Sequence, residues 1–171
     1  LSWSQQQKLT ASDGAASDYA GRAVAISGDT AVIGAHRDDD GAADTGSAYV
    51  FVRSGTAWAQ QQKLNASDMA AGDYFGWAVA ISGDTIVIGA RSDDDSIAGV
   101  DAGSAYVFVR SGTTWTLQQK LNASDIATGD DFGYAVAISG DTIVVGARLD
   151  DDGTAGADAG SAYVFVRSGT T

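Results

Sequence analysis

The apolar residues of this chain fall in short runs broken by polar turns. In SAYVFVR (Ser104–Arg110), Tyr106 and Phe108 lie on one side of an extended strand, and Ala105, Val107 and Val109 on the other. Both sides are apolar, so the strand is expected to be covered on both faces. Three more runs surround it: WAVAIS (Trp77–Ser82), TIVIGA (Thr85–Ala90) and WTLQQKL (Trp115–Leu121). Their Val, Ile, Tyr, Phe and Thr suit strands, and no run repeats with a helical period of about 3.6 residues. Gly83-Asp84 reads as a two-residue hairpin with positive φ at glycine, and Ser111–Thr114 as the next turn.

The four-strand pattern occurs three times. SAYVFVRSGT starts at Ser47, Ser104 and Ser161, and QQKL at Gln6, Gln61 and Gln118. Repetition with four short strands per unit predicts an all-β chain of β-propeller blades; a β-solenoid, whose coils lack tight hairpins, is the weaker alternative. The units divide as 1–9, a strand that closes the last blade; 10–64, the first blade; 65–121, the second; and 122–171, the third, lacking its own fourth strand.

FGYAVAISGDTIVVGA (Phe132–Ala147) resembles the FG-GAP repeat, the blade type of integrin α-subunit propellers and many bacterial surface proteins. Phe75-Gly76 and Phe132-Gly133 carry the first half of the signature, and Ala20-Gly21 stands there in the first copy. Gly89-Ala90 and Gly146-Ala147 carry the second half, with Arg91, Arg148 and His36 where proline is expected. The resemblance implies a propeller and an extracellular or cell-surface setting. Integrin-type blades hold calcium in a long loop between the first and second strands. Here that connection is only Gly-Asp, so the family's calcium site has no counterpart.

The chain has 171 residues, 22 glycines, no proline, no cysteine and a net charge of −12. All 22 acidic residues are aspartate, which favours loops over helix interiors. The acidity excludes a nucleic-acid footprint, and no apolar run is long enough to span a membrane. Alternate connections of a blade emerge on opposite faces, so seven aspartates entering the units share one face with twelve in the DDD loops. Asp29, Asp84 and Asp141 lie opposite, offset by Arg53, Arg110 and Arg167. One strongly acidic face is therefore expected to attract cations, a cationic protein or a glycan.

Two sets of candidate site residues follow. Asp38, Asp40 and Asp44 around Gly41 have roughly the spacing of a calcium loop, as do Asp93, Asp95 and Asp101, and Asp150, Asp152 and Asp158. Weak calcium binding competes with the plainer reading of solvated turns that satisfy their own amides. After the FG step the copies differ, with Arg22, Trp77 and Tyr134; these would line a central channel mouth and stack on a sugar or peptide, or pack between blades. Trp3, Trp58 and Trp115 recur and are expected to be structural, and His36 to be exposed in a polar loop. Asn65 and Asn122 stand in N-glycosylation sequons.

No catalytic constellation is present in the sequence, and no cofactor is required. The expected function is a non-enzymatic scaffold or binding propeller, with a calcium-dependent adhesion or carbohydrate-binding propeller second and a hydrolase or lyase third. Trp3–Leu9 reads as a fourth strand without a preceding three, and the third unit runs to Thr171 before its own fourth strand. Strand exchange between chains would close a six-bladed homodimer, with a trimer or filament as alternatives.

Overall fold

The computed structural model describes residues 1–94, 99–151 and 156–168, and all regular structure among them is strand. The first sheet contains β1 (Ala23–Ser27), β2 (Thr30–Ala35), β3 (Ser47–Ser54) and β4 (Ala57–Leu64). The second contains β5 (Phe75–Ser82), β6 (Thr85–Ala90), β7 (Ser104–Ser111) and β8 (Thr114–Leu121). β9 (Phe132–Ser139), β10 (Thr142–Ala147) and β11 (Ser161–Val166) form a three-stranded sheet. Every sheet is an antiparallel meander in chain order.

The Gly-Asp connections close pairs such as Ser82↔Thr85, and Gly28, Gly83 and Gly140 have φ of 57°, 56° and 56°. Positive φ at the first loop residue is what a two-residue hairpin between twisted strands needs, and glycine supplies it without a Cβ penalty. Each of these hairpins carries one carboxylate, held by an arginine of the third strand. Arg53 Nε donates to Asp29 Oδ1 at 2.7 Å, and Arg110 Nε to Asp84 Oδ1 at 2.6 Å.

Sheets approach one another at their first strands and splay at their fourth, as β5 packs between β1 and β9. The core lies between blades. Val32, Ala48 and Val50 of the first sheet meet Phe75, Val79, Ile86, Ile88, Tyr106 and Phe108 of the second. Val87, Ala105 and Val107 on the other side of the second sheet meet Phe132, Val145 and Phe165 of the third. The two apolar sides of SAYVFVR thus serve two different junctions.

Each junction closes on bare backbone. A Cβ on Gly34 would come closer than 3.0 Å to the Gly76 carbonyl oxygen, and one on Gly89 equally close to that of Gly133. Gly34 and Gly89 are thus bare where the FG glycine of the next blade brings its carbonyl, and Gly76 and Gly133 are bare where the Ser47 and Ser104 carbonyls come as close. Phe75 N–H donates to Thr45 O at 2.9 Å and Phe132 N–H to Ala102 O at 3.0 Å, tying each entering strand to the loop of the preceding blade.

One expectation is corrected. Trp3–Leu9 forms no strand. It lies against the first sheet, with Leu9 packed on the cluster of Tyr49, Phe51 and Trp58. The segment enters no backbone ladder, and side chains hold it to β4: Gln7 Nε2 donates to Trp58 O, and Trp58 N–H to Gln7 Oε1, both at 2.9 Å.

Candidate functional site

The acid-rich end is built from the DDD loops and the connections into each blade. The first aspartate of each loop is buried and pinned at the foot of the third strand. Ser47 Oγ donates to Asp38 Oδ2 at 2.6 Å and Ser104 Oγ to Asp93 Oδ2 at 2.6 Å; Ser161 and Asp150 make the same bond. Tyr106 and Tyr163 hydroxyls donate to the second oxygens of Asp93 and Asp150 at 3.0 and 3.1 Å. Burial first, and then these neighbouring carboxylates, push both phenol pKa values up.

A lysine from the fourth strand supplies the countercharge. Lys63 Nζ lies 2.8 Å from Asp13, 2.8 Å from Asp38 and 3.1 Å from Asp40. Lys120 Nζ lies 2.7 Å from Asp68 and 2.6 Å from Asp93. Burial works against both ammonium groups, yet the aspartate hydrogen bonds outweigh it and raise both pKa values. The carboxylates of these two blades already enclose a cation, and it belongs to the chain.

The second aspartate shapes the loop. Asp39 Oδ1 accepts from the Asp44 N–H at 2.8 Å, Asp94 from Asp101 at 2.9 Å and Asp151 from Asp158 at 2.8 Å. The accepted residues adopt φ of 55°, 54° and 54°, the left-handed region that aspartate tolerates better than most side chains. This conformation aims the Asp44 carbonyl at the Tyr74 N–H, 3.2 Å away across the junction.

Among the described residues, no three acidic or histidine side chains are grouped to hold a metal ion. Asp38, Asp40, Asp93 and Asp150 sit in the pinned clusters, whereas Asp44, Asp101 and Asp158 occupy the left-handed turns. Asp95 and Asp152 lie outside the described residues. Nor do the Gly-Asp hairpins fit an integrin-type calcium loop, since their single carboxylates are paired with arginine. The sequon amides are occupied as well: Asn65 Nδ2 donates to Asp40 and Ser47, both at 2.9 Å, and Asn122 Nδ2 to Ser104 Oγ at 2.9 Å.

Arg22, Trp77 and Tyr134 come together where the first strands converge. A bulge between Phe75 and Ala78, with Gly76 at φ 85°, turns Trp77 out of the sheet register. The Arg22 guanidinium stacks 3.4 Å from the Trp77 ring centre and donates to Trp77 O at 2.7 Å; Arg91 stacks on the same ring at 4.1 Å. Trp77 and Tyr134 ring centres are 5.7 Å apart, and Arg148 lies 4.8 Å from Tyr134. Buried Asp131 receives Arg91 at 3.2 Å and Arg148 at 2.9 Å. An arginine–aromatic hub thus stands inside the acidic rim, and the rings are stacked on by the protein's own cations.

His36 is buried, not exposed, in edge contact with Trp77 at 5.0 Å. Burial first, then the charges of Arg22 and Arg37, bring its pKa down to about 4. The sequence did contain a signal for this site: His36 occupies the same repeat position as Arg91 and Arg148.

The chain matches the FG-GAP repeat family over residues 3–51, 58–108 and 115–165, and it belongs to that family. Each match runs from an outer-strand position led by Trp3, Trp58 or Trp115 into the third strand of the next sheet, so the family's repeat is offset by one strand from the sheets, and the paired junction glycines are the signature's own. A comparison with curated proteins finds no match.

Proposed function

We propose that this chain is a non-enzymatic scaffold or binding module of a surface or secreted protein, and that it engages a cationic partner through the acid-rich end. FG-GAP blades are binding and scaffold elements typical of extracellular and surface proteins. The observation that carries the reading is the exposed second aspartate of each loop, Asp39, Asp94 and Asp151. In all three copies the exposed second aspartate is fixed by accepting a backbone N–H, Asp39 from Asp44, Asp94 from Asp101 and Asp151 from Asp158. Rigid charges repeated at one spacing favour a partner with several cationic groups, because little ordering is needed on binding.

Replacing Asp39, Asp94 and Asp151 together by Asn tests this, since Asn keeps an acceptor for the loop amide while removing three charges. Affinity for a short oligolysine peptide at low salt is expected to fall about tenfold, with melting temperature held within a few degrees. Equal affinity in the variant would reject the acidic end as the binding surface.

A further inference from the structure

We propose that the cavity between the second and third blades, at the acid-rich end, binds a small zwitterion, an α-amino acid whose ammonium group meets Asp101 and whose carboxylate meets Arg91 and Arg148. This goes beyond the cationic partner proposed above, since the site lies inside the second junction and its ligand has no net charge. The inference comes from the two internal junctions, which share a backbone frame and differ in the side chains that fill it.

The frames match bond for bond. Tyr74 N–H donates to Asp44 O at 3.2 Å in the first junction, and Asp131 N–H to Asp101 O at 3.4 Å in the second. Arg37 N–H donates to Asp18 O at 3.3 Å, and Ser92 N–H, at the same repeat position, to Asp73 O at 3.4 Å. In the first junction the space beside these bonds holds a guanidinium. Arg37 Cζ lies 5.4 Å and 5.8 Å from the ring centres of Tyr19 and Tyr74, and Arg37 Nε lies 4.0 Å from Asp44 Oδ1. In the second junction Ser92 replaces Arg37, and Asp131 replaces Tyr74. The two shorter side chains leave a cavity of about 340 Å³, lined by Tyr74, Asp101 and Asp131 together with Arg91 and Arg148. Small-ligand sites start at about 300 Å³.

One wall of the cavity is a carboxylate without a cation. Asp101 is the counterpart of Asp44, is exposed, and makes no ion pair among the described residues. The first junction thus serves as a template: where it seats its own cation beside Asp44, the second offers Asp101 alone. A ligand ammonium in that place regains the charge-assisted contact that Ser92 cannot make.

The opposite wall carries the reverse excess. Arg91 Nη1 lies 3.2 Å from Asp131 Oδ1 and Arg148 Nη2 2.9 Å from Asp131 Oδ2, so two guanidiniums share one buried carboxylate. Arg91 Nε is buried and has no hydrogen-bond partner among the described residues. Arg91 is also held, stacked 4.1 Å from the Trp77 ring centre and 5.1 Å from that of Tyr74, so binding costs it little freedom. The planar fork of a guanidinium matches a carboxylate, and the left-over charge here calls for one.

Charge decides between ligand classes. Asp101 and Asp131 balance Arg91 and Arg148, so a simple cation would meet the arginines and a simple anion the aspartates. A molecule with both signs a few ångströms apart satisfies both walls, and an α-amino acid is the smallest of that kind. Tyr74 and Leu149 also line the cavity and would flank an apolar side chain. The lining is particular to this junction, because His36, Arg37 and Tyr74 stand in the first where Arg91, Ser92 and Asp131 stand in the second. A packing role alone would be served by the same residues in both.

Calorimetry on the full chain with L-leucine tests the proposal. One site with a Kd below about 1 mM is expected at low salt. Leucinamide, which lacks the carboxylate, and N-acetylleucine, which lacks the ammonium, should each bind at least about tenfold more weakly. Ser92→Arg copies the first junction and should fill the cavity, abolishing leucine binding while the strand signal in circular dichroism stays. Asp101→Asn should weaken leucine at least about tenfold. It is a test on a folded chain in any case, because asparagine tolerates the φ of 54° at this position. No binding of leucine up to about 10 mM overturns the proposal, a level far too weak for a site built of paired charges. Equal affinity for leucine and its two blocked forms overturns it, and so does tighter binding of glucose, which would assign the cavity to a neutral polyol. Leucine binding unchanged in both variants would place the ligand elsewhere and overturn it as well.

Discussion

Gly89 and Gly133 touch through backbone alone, the Gly133 carbonyl lying where a Cβ on Gly89 would have to be. Gly89 does not need positive φ; it needs the absence of a side chain. Gly89→Ala is therefore expected to force two blades apart and cost about 3 kcal/mol or more, because the obstructing atom is backbone and cannot rotate away. Gly83 is the reverse case, with φ 56° and open space around the missing Cβ. Gly83→Val should cost about 1 kcal/mol, from backbone strain only. Urea denaturation of the two variants checks the order, and equal losses would contradict the distinction.

Lys120→Met should destabilise the chain by about 3 kcal/mol at pH 7, since Asp68 and the buried Asp93 lose their shared partner. Burial works to raise the Asp68 pKa, but hydrogen bonds from Lys120 and Tyr106 hold it below the usual range. Removing the lysine should raise it, which carboxyl NMR titration would register. An unmoved Asp68 would show that the ion pair does not control its charge.

Two buried groups pull the pH dependence in opposite directions. Burial pushes Asp73 up to about 6, with Asp93 and Asp94 adding to it against the Ala70 N–H. The folded chain thus keeps a proton that the unfolded chain loses above about pH 4, and this contribution falls as pH rises to 6. His36, brought down to about 4, refuses a proton that the unfolded chain accepts below about pH 6.5, so its contribution falls as pH drops. Each slope is about 1.4 kcal/mol per pH unit, and between pH 4 and 6 they largely cancel. Asp73→Asn keeps an acceptor for the Ala70 amide and removes one slope. The variant should lose about 2–3 kcal/mol between pH 6 and pH 4 relative to the unmodified chain. Parallel denaturation curves at pH 6, 5 and 4 measure this, and identical pH profiles would refute it.

Calcium is expected to bind weakly and without selectivity, because Lys63 and Lys120 already neutralise the pinned aspartates. Millimolar calcium should raise the melting temperature by no more than about 2 °C. Calorimetry resolving stoichiometric submicromolar sites in every blade would contradict that expectation.

The strands were legible in the chain because local pattern decides them: apolar runs, Gly-Asp hairpins and a unit repeated three times. The meeting of Arg22, Trp77 and Tyr134 was legible too, as positions where near-identical copies differ. The work of the aspartates was not, because Asp38 and Lys63 are 25 positions apart and only the sheet brings them together. Counting charge on a face showed an excess but not which carboxylates were internally matched. His36 misled because its polar neighbours suggest solvent, whereas two of the three rings beside it, Tyr74 and Trp77, come from the next blade. Trp3–Leu9 has the composition of its strand copies but pairs with no strand among the described residues, and pairing, not composition, makes a strand.

The carbonyls of Thr45 and Ala102, which receive the Phe75 and Phe132 amides, give the chain a direction. Each blade offers its successor a place to begin, so a unit ordered first becomes the template for the next, as in other linear repeat arrays. Unfolding should then begin in the first and third sheets, where Val24, Ile26 and Val164 are exposed, and reach last the second sheet, which is covered on both faces. Hydrogen exchange would display it as a gradient, with the amides of β6 and β7 the last to yield and those of β1 and β11 the first.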